Sequence, residues 1–384
     1  MDNDNESNNE NMELSPEEFY SYNYCENLEI NEKNLVAKGK GKIHEEIIQL
    51  YSELKSAIHP SFIKAKFTNE NEEIIESIRE ISFVNVRIDK YTIHILFSFL
   101  QKMKIISLIL NSNFLTIKNL ELIFNSLLTV PNHIFNLNFE WNSKLCLDNG
   151  KEIKINELNT LKEEDNKIFN LIISIFEPEM SRLESISFRG NYIGNEMGQK
   201  IFNLMKENTN IRILNLYKNN LSNNCLDDLC QMLLYNRHLL ELNIGGNLFD
   251  DKTINKMKEN IGLFEMNENE LKEYEELVKL KEENLNFNKK NKNNKKVELK
   301  EIPFVDEMKV IEGKSFIIKN DVISKIDIIQ NEGITQNTFN DLIYMIDNTN
   351  DLIFCIDLLK YNRESITKIL DPNDKYMSRF FLCK

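Results

Sequence analysis

The chain is poor in positive charge: it carries 47 basic residues against 61 acidic ones, a net charge of -14 over 384 residues. A general binder of nucleic acid or anionic membrane needs the opposite field, so neither is expected as a partner. Long apolar runs are missing too, and no stretch approaches the ~18 residues of a membrane span. Met1 to Tyr20 holds seven acids and no Lys or Arg, the reverse of a secretory signal. The expected location is cytoplasmic. Six cysteines, Cys25, Cys146, Cys225, Cys230, Cys355 and Cys383, lack framework spacing and are expected as reduced thiols.

Recognisable catalytic equipment is also lacking. Cys225, Cys230 and His238 give C-x4-C-x7-H, which is not zinc spacing. Lys38-Gly39-Lys40-Gly41-Lys42 lacks the interval of a phosphate loop and reads as a flexible linker. The five histidines, His44, His59, His94, His133 and His238, have no paired nucleophile at a justifiable spacing. The sequence therefore points to no catalytic, cofactor-binding or metal-ligating residue, and to a non-enzymatic protein with protein partners.

What the chain does have is repetition. Aligned on Asn191, Asn219 and Asn247, it reads Leu183-Ile186-Phe188-Asn191-Ile193, Ile211-Leu214-Leu216-Asn219-Leu221 and Leu239-Leu242-Ile244-Asn247-Phe249, with 28 residues between successive asparagines. The pattern L-x-x-L-x-L-x-x-N-x-L at that interval is the signature of a leucine-rich repeat. Residues such as Ile201, Leu229 and Met257 recur at the same interval on the stripe of a helix that packs back on the strands. The expected fold is an α/β solenoid of about eight repeats, with a curved parallel sheet inside and helices outside.

Weaker units extend the phase: Ile78-Ile81-Phe83 with Val86 in place of Asn, then Ile105 to Asn113, then Ile134 to Asn142. The expected organisation runs as follows: an Asn- and acid-rich disordered arm over 1–40, a helical N-terminal cap over 41–70 centred on Lys42 to Ala57, and an array over 71–262 with an insertion at 143–166. A charged helix and Lys/Asn-rich linker follow over 263–310, then degenerate terminal repeats over 311–372, one built on Ile323, Ile326, Ile328 and Asn331 and one on Ile353, Ile356 and Leu358 followed by Asn362. A tail over 373–384 closes the chain. Whether the late repeats dock on the main array stays open at this stage.

In such a repeat the alternating apolar residues point into the core. Asparagine suits the strand exit because its amide both donates and accepts, so it can satisfy turn backbone groups that would otherwise be buried unpaired. The ladder Asn113, Asn142, Asn191, Asn219, Asn247 and Asn331 is therefore read as structural. Function falls to the strand residues of opposite parity, on the concave face: Glu140, Ser187, Arg189, Asn215, Tyr217, Glu241 and Asn243. The row Glu140, Arg189, Tyr217 has the composition of an interface hot spot; the plainer alternative is a solvated strand face with an ordinary ion pair.

The three clear units, Leu239-Leu240-Glu241-Leu242-Asn243-Ile244-Gly245-Gly246-Asn247 among them, resemble the ribonuclease-inhibitor type of leucine-rich repeat. The order of parts over 71–372 also matters: repeats, the charged helix Glu268 to Glu283, a Lys-rich insertion, Glu312-Gly313-Lys314-Ser315-Phe316, a late repeat and Leu370-Asp371-Pro372. This order resembles the leucine-rich repeat-containing protein 71 family. The chain departs from that family in the insertion at 143–166 and in a shorter Lys-rich segment. The resemblance implies a non-enzymatic structural adaptor of the ciliary or flagellar axoneme, with axonemal or microtubule-associated partners and no catalytic residues. The alternative is a regulatory repeat protein that binds and modulates an enzyme or a small GTPase.

Overall fold

A computed structural model of the chain describes Gln49 and residues 66–68, 80–88, 90–102, 105–146, 152–160, 163–177, 182–290, 308–371 and 375–383. The arm over 1–40, nearly all of the expected cap helix and the Lys-rich run beyond Lys290 lie outside the described residues. What is described is an α/β architecture built on one large sheet, compatible with a solenoid.

The strands of that sheet are β1 (Lys66–Thr68), β2 (Glu80–Val84), β3 (Ser107–Asn111), β4 (Asn136–Asn138), β7 (Ser185–Ser187), β8 (Ile213–Asn215), β9 (Glu241–Asn243), β13 (Lys325–Asp327), β14 (Ile353–Asp357) and β15 (Phe380–Cys383), side by side in that order. All neighbours pair in parallel except β1, which runs antiparallel to β2. Helices return the chain between parallel strands, as a parallel connection requires. Among the described residues they are α1 (Lys90–Lys102), α2 (Ile117–Thr129), α3 (Glu163–Ser174), α4 (Asn195–Met205), α5 (Leu226–Tyr235), α6 (Asp251–Lys258), α7 (Glu268–Lys290), α8 (Phe339–Asp347) and α9 (Arg363–Leu370).

The apolar spacing explains this layout. Ile186, Leu214, Leu242, Ile326 and Phe354 face one another across successive strands, and each is fully or almost fully buried. Helix residues Ile201, Phe202 and Met205 on α4, and Leu229, Met232 and Leu233 on α5, belong to the same core. The densest part lies around the first insertion. There Phe139 meets Phe124 and Phe188 at centroid distances of 5.3 and 5.7 Å, and Phe176 meets Phe188 at 5.9 Å. Burial of each such ring stabilises the fold by roughly 1.5–3 kcal/mol.

Both ends of the sheet carry a strand that the repeat pattern does not predict. At one end β1 pairs antiparallel with the first parallel strand; the cap helix expected over Lys42 to Ala57 lies outside the described residues except for Gln49. At the other end, Phe380–Cys383 is no tail: it adds a ninth parallel strand beside β14. The last unit also sits two residues away from its expected register. Phe354 and Ile356 point into the core, while Ile353 and Leu358 are only half-buried. Asn362 takes no place in the ladder. Its Oδ1 accepts from the Ser365 N–H at 2.9 Å and caps α9, a position asparagine fills as readily as a turn.

The insertion at 143–166 is more ordered than an edge loop. It forms the hairpin β5 (Lys144–Cys146) and β6 (Glu152–Lys154) and a short 3-10 segment, and α3 already begins at Glu163. The second insertion is a closed excursion. It leaves through β10 (Leu263–Glu265) and returns through β12 (Lys314–Ile318), the two strands pairing antiparallel with β11 (Met308–Ile311) outside. It therefore reaches Ile318 rather than ending near 310. Its helix α7 runs to Lys290, past the expected end at Glu283. Because the exit and re-entry are adjacent, β13 pairs directly with β9, and the late units continue the same sheet.

Candidate protein-binding face

Six of the nine parallel strands, β3, β4, β7, β8, β9 and β13, end in the same device. The residue before the ladder asparagine takes a left-handed backbone: φ is 53° at Ser112, 58° at Trp141, 70° at Gly190, 53° at Lys218, 63° at Gly246 and 56° at Gln330. Its N–H still reaches the next unit, as from Trp141 to Arg189 O at 2.9 Å and from Gly190 to Tyr217 O at 2.9 Å. The following asparagine turns inward and is buried. Asn219 Nδ2 donates to Phe188 O and Leu216 O at 3.0 and 2.9 Å, while its Oδ1 accepts from the N–H groups of Asn191 and Ile193 at 3.1 and 2.9 Å. The ladder asparagines thus tie each unit to the one before it, and none is placed to meet a ligand.

This exit fixes the side chains of the opposite sheet face. The strand pairings place Asn138, Ser187, Asn215, Asn243, Asp327 and Cys355 in one row. Two residues on, the backbone bonds align Glu140, Arg189, Tyr217, Gly245 and Ile329 in a second. The seven sequence-derived site residues all lie in these rows or beside them. Glu140, Ser187, Arg189, Asn215, Glu241 and Asn243 are half-buried, and Tyr217 is only 7 % exposed.

The expected trio comes together, although not as an ion pair. Ser187 Oγ donates to Glu140 Oε1 at 2.6 Å. The Arg189 guanidinium instead lies 4.8 Å from the Tyr217 ring centroid and 5.5 Å from that of Trp141. Arg189 Nε is buried without a hydrogen-bond partner. Lys218 Nζ lies 5.7 Å from the centroid of the same Tyr217 ring, so two cations accompany that ring.

Glycines make room for both rings. A Cβ on Gly190 would stand 2.3 Å from Trp141 Cε3, and one on Gly245 would stand 2.9 Å from Tyr217 Cδ2. The Tyr217 hydroxyl donates to Gln330 Oε1 at 2.5 Å. Burial raises the Tyr217 pKa above its usual value, which the Arg189 charge opposes and Asp327 and Asp357 reinforce. The phenol stays neutral and serves as donor and platform.

The face continues beyond the second insertion, where sequence reasoning had not followed it. Lys325 Nζ meets Glu241 Oε2 at 3.3 Å, and Asn243 Nδ2 donates to Asp327 Oδ2 at 3.1 Å. Burial raises the Asp327 pKa, against the Ile329 N–H and Lys325, which lower it. Asp327 Oδ1 accepts that N–H as Asn215 and Asn243 accept those of Tyr217 and Gly245. Trp141 and Gln330 were also missed. Their signal was the slot before a ladder asparagine, which places a side chain next to the outward row of the neighbouring unit.

The cysteines stand apart from this arrangement. Cys225 and Cys230 are buried in the core, and burial pushes their thiols up to about 11 and about 12. Thiols so poised are poor nucleophiles and poor ligands near neutral pH. Among the described residues no group of three or more His, Cys, Asp or Glu is placed to hold a metal ion, and no helix is long and apolar enough to cross a membrane. No family model matches the chain, and no curated protein does.

Proposed function

We propose that the chain is a non-enzymatic leucine-rich repeat scaffold that holds a protein partner on the open face of its parallel sheet. The carrying observation is the Trp141–Arg189–Tyr217 stack. A large, pre-positioned aromatic–arginine cluster on a rigid sheet loses little side-chain entropy on binding and has the composition of an interface anchor. The recurrent 28-residue spacing and the asparagine at six of the strand exits support the repeat assignment. Exposed Ile213 on β8, 38 % accessible on the same face and four residues before Tyr217, supplies apolar area further along the strand.

The axoneme is the proposed setting, supported by the resemblance in the order of units, the charged helix and the Glu312-Gly313-Lys314-Ser315-Phe316 segment. The test is to express the tagged chain in a flagellated cell and extract with detergent. The chain is expected to stay with the axonemal microtubules, and Ile213→Arg to release it without lowering its melting temperature. Uniform cytosolic distribution with complete extraction would defeat the axonemal setting. Recovery in a soluble one-to-one complex resistant to moderate salt would favour the regulatory reading instead.

A further inference from the structure

We propose that the Arg189 stack is a carboxylate receptor, which takes one Asp or Glu side chain from an extended partner segment. This deepens the scaffold reading and rests on it. The Arg189 guanidinium carbon lies 5.5 Å from the Trp141 ring centroid and 4.8 Å from that of Tyr217, and a guanidinium forms hydrogen bonds only along its in-plane N–H edge. That edge matches a carboxylate in two parallel bonds. Glu140, the acid of the neighbouring strand, is held by Ser187, and Arg189 Nε is buried with no hydrogen-bond partner.

A second orphan group lies close by. Asn138 Oδ1 is also buried and unpartnered. Asn138 pairs with Ser187 across β4 and β7, so it stands one strand over and two residues back from Arg189. A strand rises roughly 3.3 Å per residue and neighbouring strands lie about 4.8 Å apart. An extended peptide has its polar groups at about this separation: a side-chain carboxylate for Arg189 and a backbone N–H for Asn138. One buried donor and one buried acceptor on the same face would be satisfied by a single segment.

Charge decides the ligand. The molecule as a whole is at -14, yet Arg189 and Lys218 both lie close to the Tyr217 ring, at 4.8 and 5.7 Å, a local positive spot suited to an anion. Glu140, Asp327 and Asp357 stand on the same face, and three carboxylates disfavour a phosphate dianion more than a singly charged carboxylate.

Trp141 is the single tryptophan of the chain and is 43 % exposed, so its emission reports on this site alone. The full chain is titrated with capped Ala/Thr decapeptides that differ only at a central Glu, Gln, Lys or phosphoserine. The Glu peptide is expected to change Trp141 emission saturably, and the Gln peptide to bind about tenfold more weakly or worse, the loss of one charge-assisted hydrogen bond. Arg189→Gln should abolish the Glu preference, and Arg189→Lys, which keeps the charge without the planar fork, should weaken it. Thermal melts of both variants show whether the fold survives. Equal responses to Glu and Gln, an unchanged preference in folded Arg189→Gln, or tighter binding of the phosphoserine peptide would each overturn the proposal. If Ile213→Arg releases the chain from its partner in cells while Arg189→Gln does not, the receptor falls and the scaffold stands; if neither variant releases it, both readings fall.

Discussion

Asparagine does two jobs at the residue scale, and only one of them stands out in the pattern. The ladder through Asn219 and Asn247 closes the strand exits. A second set closes the helix exits: Asn208 Nδ2 donates to Phe176 O at 2.8 Å, Asn236 Nδ2 to Met205 O and Asn208 O, and Asn320 Nδ2 to Leu233 O and Asn236 O. Each Oδ1 in turn accepts from the backbone two and three residues on, as Asn236 does from His238 and Leu239 at 2.8 and 2.7 Å. Asn208 and Asn236 are also 28 residues apart, so the signal existed, but in a chain this rich in asparagine it did not separate from background. Replacing either kind by Ala leaves several buried groups unpaired, so Asn219→Ala and Asn236→Ala should each lower stability by about 1–3 kcal/mol in chemical melts. Exposed Asn224→Ala, which belongs to neither set, should change it by less than about 0.5 kcal/mol.

The strand exit is the element that converts a structural motif into a surface. Its left-handed residue turns the chain so that the next side chain goes into the core and the previous one onto the open face. Where that residue is Gly190, the space it leaves is filled by the Trp141 ring. Gly190→Ala should therefore disturb two things at once, the backbone at φ +70° and the ring 2.3 Å from the new Cβ. Gly313→Ala is the matched control: φ is +80° and nothing lies within 4 Å. The control should cost only backbone strain, about 1 kcal/mol, whereas Gly190→Ala should cost more and red-shift Trp141 emission. Equal costs and an unmoved spectrum would show that the ring does not rest on the glycine.

Over the whole molecule, the second insertion is an interruption in sequence but not in space. Met266 N–H donates to Ser315 O at 2.8 Å, and Lys319 Nζ donates to Glu259 O at 2.5 Å while lying 4.0 Å from the Phe264 ring. The excursion is pinned at its neck, and the core on either side is continuous. Replacing residues 267–314 by an Asn-Gly turn, which suits a two-residue hairpin, should leave one cooperative thermal transition. Its midpoint should lie within about 5 °C of the full chain, because loop length enters stability only logarithmically. Two separated transitions would mean that the late units form a body of their own.

The sequence by itself determined the class of fold, the inward and outward parity of each clear strand and the structural duty of the ladder asparagines. All three follow from local periodicity and from the chemistry of one side chain. It also brought Glu140, Arg189 and Tyr217 to one face, since they share a slot in the repeat. Only the tertiary structure decided what they do there. Arg189 stacks on rings because Gly190 and Gly245 leave room for Trp141 and Tyr217, and Glu140 is diverted by a serine one strand away. Only the tertiary structure joined β13 to β9, placed Gln330 under the Tyr217 hydroxyl and made a strand of Phe380–Cys383. Those contacts join residues brought together by stacking across strands, and no local pattern encodes which partner the next strand will find.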